Sequence, residues 1–362
     1  MAASPLPSGA VESAGDREPL PEVTCLSCLV VDDRGRTLYG RAAAVRRPIA
    51  STTKMVTALV VSENAGFGEE VTVSATAAAT GGGGLDLAAG ERYSVEELLF
   101  ALLLSSSNDA AVALAEHTAG SEAAFAAEMN SLAASLGAAD SNFVTAHGLD
   151  TAGHFSTARD LARIGAAVLD DPELAEIVET PRTVIDGGMS LENRNLLLEG
   201  YEGAIGIKTG YTRAAGNVLV GAARRRHRTV ISVAMGSYDA LADSRRLLGY
   251  GFRRLARTVL VPAGRPVGTL ITAAGSATPV VAGRAVRGLA DPERVAVEWS
   301  ATPGRAAPAA GERVGTVVVS AGRHRVGNVG AVAADTVQAD DAWTQDLFAG
   351  LLRGVARLTG RL

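Results

Sequence analysis

The spacing of apolar residues changes along the chain, and each change marks a different kind of element. From Cys25 to Asp32 the chain runs apolar with β-branched residues. Asp33-Arg34-Gly35-Arg36 then interrupts, and Thr37 to Gly40 resumes the run, which predicts a β-hairpin. From Ser51 to about Glu63 the residues Met55, Val56, Ala58, Leu59, Val60 and Val61 cover nearly every face of a helical wheel. A helix apolar all round is a buried helix. Helical spacing continues over Ser94 to Leu104, Asp109 to His117 and Glu122 to Gly137. It returns after Thr157-Ala158-Arg159-Asp160, a capping-box-like start for a helix reaching about Leu169. Ala204 to Lys208, Asn217 to Arg224 and Thr229 to Gly236 then read as strands, and Asp239 to Leu255 as a helix. Strands at both ends of this stretch enclose a helical middle, which predicts an α+β domain built on an antiparallel sheet.

From Val259 to Val337 short Val-rich runs such as Val295 to Trp299 and Val314 to Val319 are punctuated by Gly and Pro, the texture of a small all-β domain. Over the last twenty residues Trp343, Leu347, Phe348, Leu351, Leu352, Val355, Leu358 and Leu362 share about half of a helical wheel, with Arg353, Arg357 and Asp346 opposite. A wide apolar face with arginines and a terminal tryptophan suits a helix lying on a membrane surface. The expected organisation is a disordered tail over 1–22, a first domain over 23–257, a small β domain over 258–338 and an amphipathic helix over 339–362.

Length and composition narrow the choices. A chain of 362 residues is long enough for two domains. With 47% hydrophobic but only 4% aromatic residues, its core is built of small and aliphatic side chains. A net charge of -5 gives no reason to expect a nucleic-acid partner. The run Arg224-Arg225-Arg226-His227-Arg228 lies between two strands and reads as a solvated hairpin turn. Cys25 and Cys28 are the two cysteines. In a regular strand they point to opposite faces about 10 Å apart, beyond disulfide reach, and read as buried apolar residues. No apolar run approaches the roughly 18 residues of a membrane span. Met1 to Leu20 lacks the basic and apolar regions of a signal peptide and is rich in Pro, Ser, Gly and Ala. Gly81 to Gly84 lacks a Gly-Lys-Ser/Thr ending and reads as a turn, not a phosphate loop.

Three short motifs carry chemistry. In Ser51-Thr52-Thr53-Lys54 the serine alone is a good helix N-cap, but Lys54 does not suit a helix start, where a capping box wants Glu or Gln and a cation is disfavoured. Residues three apart share a face, so the amine can reach the Ser51 hydroxyl. Burial and the positive helix end favour a neutral lysine, which is a serine nucleophile with its own base. Ser106-Ser107-Asn108 reads either as a polar turn with Asn108 capping the next helix, or as a cleft in which Ser106 relays a proton and Asn108 binds a substrate amide. Lys208-Thr209-Gly210 ends a strand. Lys208 is either a solvated lysine or, with Thr209, the holder of a substrate carboxylate, while Gly210 lets a substrate backbone approach closely.

Together these motifs form the set known from penicillin-binding proteins and class A β-lactamases. The chain resembles the D-alanyl-D-alanine carboxypeptidases, the low-molecular-mass penicillin-binding proteins. The resemblance extends through Pro48 to Met55, Ser107-Asn108-Asp109-Ala110-Ala111, Gly148-Leu149-Asp150, Gly153 to Ala158 and Gly206 to Thr212. It implies the penicillin-binding transpeptidase fold followed by a small β domain, with Ser51 the nucleophile, Lys54 its general base and Ser106 and Asn108 assisting. It also implies that Lys208 and Thr209, supported by Arg194, hold a terminal carboxylate. The backbone N–H groups of Ser51 and Tyr211 would form the oxyanion hole, and His154 would be structural. The implied partners are stem peptides ending in D-Ala-D-Ala, β-lactams and a membrane surface through 343–362, with no metal or cofactor. The implied location is peripheral, on the outer face of the cytoplasmic membrane. A β-lactamase-like hydrolase is the competing reading, weakened by the lack of a Glu-x-x-Leu-Asn pattern. A non-catalytic penicillin-sensing or wall-binding protein is another.

Overall fold

The structure, a computed structural model, describes residues 19–271, 277–290, 292–302, 308–336 and 354–356. Its centre is an antiparallel sheet of β1 (Ser27–Asp32), β2 (Thr37–Arg41), β3 (Ala204–Thr212), β4 (Gly216–Arg225) and β5 (Arg228–Ser237), in spatial order β2-β1-β5-β4-β3. Period-two alternation gives this sheet two apolar faces. Leu29, Val31, Val220, Ile231 and Val233 join the larger core, and Cys28, Val30, Leu219 and Ala234 join a second one. The chain between β2 and β3 supplies α1 (Lys54–Asn64), α2 (Val95–Phe100), α3 (Asn108–Ala119), α4 (Glu122–Ser135), α5 (Ala158–Asp170) and α6 (Pro172–Glu179). These pack on the first face. Helix α7 (Ala240–Ala256) covers the other with Leu247, Leu248, Phe252 and Leu255. The fold is α+β, as the alternation of periods predicts.

Helix α1 is buried at every position from Lys54 to Val61. It is the central rod around which the helical region packs. A helix with no polar stripe cannot sit at the surface, because each exposed aliphatic side chain forgoes roughly 1.5–3 kcal/mol. The helix expected to start near Ser51 begins as a 3-10 turn over Ala50–Thr53, and α-helical geometry starts at Lys54. Sequence periodicity passes over α6 and the hairpin of Arg182–Ile185 with Met189–Glu192, which are short and half exposed.

Beyond α7 a second core gathers Val280, Trp299, Val317, Val319 and Ala331. It lies in a sheet of β6 (Pro266–Ile271), β7 (Ala277–Ala282), β8 (Val295–Ala301), β9 (Arg313–Ala321), β10 (His324–Ala333) and β11 (Gly354–Ala356), ordered β6-β7-β10-β9-β8-β11. Two expectations are corrected here. Gly354–Ala356 pairs antiparallel with β8, so these residues continue a sheet and not an amphipathic helix. The rest of 339–362 lies outside the described residues, as does the tail over 1–18. The arginine run is not uniformly solvated either. Arg226 and His227 form the turn, both at positive φ, but Arg228 is 2% exposed. Its guanidinium donates to Asp33 at 2.8 and 2.9 Å, to Asp32 at 3.2 Å and to the Ala290 carbonyl at 3.1 Å. Two carboxylates and a carbonyl satisfy a buried fork that would otherwise be too costly to bury.

Candidate active site

Ser51 sits in the 3-10 turn over Ala50–Thr53, one residue past its start, and is not its cap, which is Ile49. The wholly buried Lys54 Nζ lies 3.1 Å from Ser51 Oγ, 2.7 Å from Asn108 Oδ1 and 2.8 Å from the His147 carbonyl. Burial first, and then the charges of Lys208 and Arg194, push the Lys54 pKa well below the ordinary lysine range, against a smaller opposing pull from Asp109. A neutral amine has two N–H donors and one lone pair. Asn108 Oδ1 and the His147 carbonyl can only accept, and they take the two donors. In the neutral amine the lone pair is left for Ser51, whose hydroxyl can then donate, so the geometry suits a serine with its base in place.

Asn108 is engaged at both ends, because its Nδ2 donates to the Gly81 carbonyl at 2.9 Å. It orients Lys54, a duty that the expected contact to a substrate amide did not foresee. The Gly81 to Gly84 stretch is its cradle: the Asn108 N–H also donates to Gly83 O, and a side chain at Gly84 would meet the Asp109 carboxylate. Asp109, 2% exposed, accepts from the N–H groups of Leu85, Leu87 and Ala110 and from the Ser107 hydroxyl. Helix α2 runs into a π turn over Ala101–Ser105, and Ser106 follows at φ 65. This left-handed residue lets Ser106 line the same cleft as Ser51.

On the opposite wall, β3 delivers Lys208, Thr209, Gly210 and Tyr211. The cleft between the walls has a volume of about 640 Å³ and is lined by Ser51, Ser106, Arg194, Thr209, Gly210 and Tyr211 among others. Lys208 is 1% exposed, and burial with the Arg194 charge brings its pKa down to about 7. Its Nζ donates only to the Thr209 carbonyl, at 3.2 Å, among the described residues. A buried lysine with one neutral acceptor, beside the exposed Arg194, can receive an anion. A Cβ at Gly210 would stand 3.0 Å from both the Ser51 N and the Ile49 carbonyl. Glycine there keeps β3 close to the nucleophile turn and leaves room beside the Ser51 N–H.

His154 keeps its structural assignment. Its Nδ1 accepts from the Val144 N–H at 3.1 Å, and its Nε2 lies 2.7 Å from Thr53 Oγ1, which itself donates to the Ala50 carbonyl at 2.8 Å. The ring therefore donates from Nε2, is neutral, and braces the turn that carries Ser51. Burial lowers its pKa to about 4, and burial lowers that of His147 to about 4 as well. Both rings bind a proton less readily folded than unfolded, so unfolding takes up protons. Their contribution is complete above pH 6.5, the unfolded value, and is lost as pH falls through about 4. Urea midpoints measured across this window are expected to fall steadily with acid, with a shallower slope in His154→Gln. A flat wild-type profile would remove the neutral-ring assignment.

Residues 14–239 match the sequence profile of the D-alanyl-D-alanine carboxypeptidase family. The chain is 37% identical over 250 residues to DacA of Escherichia coli, a match covering 65% of this chain and 62% of that protein. It is 37% identical to DacB2 of Mycobacterium tuberculosis over 62% of this chain and 79% of the relative. Among solved structures, DacD of Francisella tularensis superposes with a TM-score of 0.63 at 25% identity, covering 91% of this chain and 98% of its own. The Streptomyces K15 DD-transpeptidase superposes at 0.61 with 30% identity, covering 65% of this chain and 100% of its own. The match thus spans less than two thirds of the Escherichia coli relative. With Ser51, Ser106, Arg194 and Thr209 lining one cleft and the buried Lys54 amine 3.1 Å from the serine, the chain belongs to the D-alanyl-D-alanine carboxypeptidase family.

Proposed function

We propose that the chain is a serine-type D-Ala-D-Ala carboxypeptidase that removes the terminal D-alanine of peptidoglycan stem peptides and is acylated by β-lactams. The observation that carries this reading is the placement of the buried Lys54 Nζ, 3.1 Å from Ser51 Oγ and fixed by Asn108 Oδ1 and the His147 carbonyl. Lys54 takes the Ser51 proton as Oγ attacks the penultimate carbonyl. The oxyanion gathers the backbone N–H groups of Ser51 and Tyr211. The proton passes by way of Ser106 to the departing D-alanine nitrogen, and water hydrolyses the acyl-enzyme. Lys208, Thr209 and Arg194 hold the free carboxylate, which a β-lactam also carries.

The test uses a D-Ala-D-Ala tripeptide, its C-terminally amidated form and penicillin. D-alanine release from the free acid only, and a long-lived penicillin adduct on the peptide containing Ser51, are expected. Fast penicillin turnover would favour the β-lactamase-like reading, and no adduct would favour a non-catalytic penicillin sensor. Adding an amine acceptor separates hydrolysis from transpeptidation. Lys208→Met is expected to lower turnover of the free acid about ten- to a hundredfold, since a charge-assisted contact is worth roughly 1.5–3 kcal/mol. The same change should raise stability at neutral pH by removing a buried, unpaired amine. Equal cleavage of amidated and free peptides by the wild type would end the carboxylate assignment.

We place the enzyme outside the cytoplasmic membrane, where its substrate class lies. A membrane contact through 343–362 is supported by the amphipathic pattern alone, and the pairing of Gly354–Ala356 with β8 interrupts it. Co-sedimentation with anionic liposomes, comparing the full chain with one ending at Asp341, is expected to show loss of binding on truncation. Equal partitioning of two chains that both label with penicillin would discard the contact.

A further inference from the structure

Cys25 and Cys28 do not take the opposite faces that strand parity assigns them. Strand pairing begins at Ser27, opposite Met235, and Leu26 before it is a bend whose N–H is shared between the Met235 and Gly236 carbonyls at 2.9 and 3.3 Å. The bend breaks the alternation, so Cys25 does not follow the parity of Ser27. Both cysteines accordingly pack in one core with Val30, Ala234 and Phe252, while Leu29 and Val31 face the other way. The two thiols lie within hydrogen-bonding reach of each other.

Arg41 completes the cluster. It is the register partner of Cys28 on β2, and its guanidinium reaches the Cys25 carbonyl and lies 3.9 Å from Cys25 Sγ. A fixed cation beside two thiols favours the thiolate. The segment is held from the other side by Asp243 of α7, which accepts from the N–H groups of Thr24 and Cys25 at 2.9 and 2.8 Å. We propose that Cys25 and Cys28 are a dithiol that closes to an intramolecular disulfide by exchange with a disulfide-bearing oxidant, locking the bend that leads into the central sheet.

The exchange balances as follows. The Cys28 thiolate attacks one sulfur of R–S–S–R and expels RS⁻, leaving a mixed disulfide. Cys25 then gives up its proton and attacks the Cys28 sulfur, displacing the second RS⁻. Two protein thiols are oxidised, one external disulfide is reduced to two thiols, and the two protons pass to RS⁻. Cys28 is the attacking sulfur because its interaction with Cys25 and the Arg41 charge hold its pKa below the usual thiol range, whereas the interaction with Cys28, together with burial, pushes Cys25 up. Both sulfurs are buried, so exchange proceeds when the chain before β1 opens locally in the folded protein.

The test uses the full chain, reduced, freed of reductant and incubated folded with oxidised glutathione. It is then acid-quenched, unfolded and alkylated before intact-mass measurement. The treated wild type is expected to be lighter by two hydrogens and to resist alkylation. Cys25→Ser is expected to stop at a glutathione adduct on Cys28, because the resolving thiol is gone. Two alkylated thiols in the treated wild type, glutathione on both cysteines, or a disulfide that forms only in denaturant would each overturn the proposal.

Discussion

Lys54→Met is expected to slow acylation of Ser51 by penicillin by about a thousandfold while the fold survives. General-base assistance is worth roughly 10²- to 10⁴-fold. Lys54 is the one amine within reach of Ser51 Oγ among the described residues, and α1 buries it completely. Methionine fills the same unbranched volume in a helix apolar on every side. It leaves Asn108 Oδ1 and the His147 carbonyl without their donor, at about 1–3 kcal/mol each, but removes the cost of burying an amine. Lys54→Arg is the sharper test. It keeps positive charge and hydrogen bonding but cannot surrender its proton at any working pH. Stopped-flow acylation, with Ser51→Ala as the zero, should place both variants near the floor. An arginine variant keeping a tenth of the rate would show that charge, and not proton transfer, is what Lys54 supplies.

The candidate site was legible as a pattern because its residues break local rules. A cation three residues after a serine at a helix start has no structural advantage, and the structure gives it a chemical one. One signal went unread. Lys54 and Lys208 are the two lysines of the chain, and every other cationic side chain among its 34 Lys and Arg residues is arginine. Arginine cannot become a neutral base, so the chain keeps lysine where an amine has to shift its pKa. That asymmetry would have picked out both residues without any motif.

What periodicity could not supply was set by single backbone irregularities or by partners distant in sequence. The bend at Leu26 breaks the parity argument for the cysteines, and no residue type there announces it. The burial of Arg228 depends on Asp32 and Asp33, almost two hundred residues earlier. Asn108 was legible as a site residue but not its task, because its partner Gly81 lies in a glycine run that alone reads as a turn. The third acceptor at Lys54 is a backbone carbonyl, that of His147, and carbonyls carry no sequence signature.

That carbonyl leads to the second large effect, Gly148→Ala. Gly148 follows His147 at φ +83, and a Cβ there would stand 2.2 Å from the Ala50 carbonyl oxygen and 2.4 Å from Thr53 Oγ1. Neither can yield easily: Ala50 directly precedes Ser51, and Thr53 Oγ1 is held by His154 and by Ala50 itself. The loop is tied on its far side too, where Asp150 accepts from Thr212 Oγ1 at 2.6 Å and so joins it to β3. Relief must therefore move either the nucleophile turn or the His147 carbonyl that orients Lys54. A shift of about 1 Å in such a constellation costs on the order of 10²-fold in rate. The clash and the left-handed backbone together are expected to cost about 2–4 kcal/mol of stability. Gly153→Ala is the matched control, since its φ is +82 but its nearest neighbour would be 3.7 Å away. It should lose only the roughly 1–2 kcal/mol of left-handed strain and keep its acylation rate. Urea denaturation and penicillin acylation of the two variants decide the matter. If Gly148→Ala acylates as fast as Gly153→Ala, the nucleophile turn does not depend on the close approach of this loop.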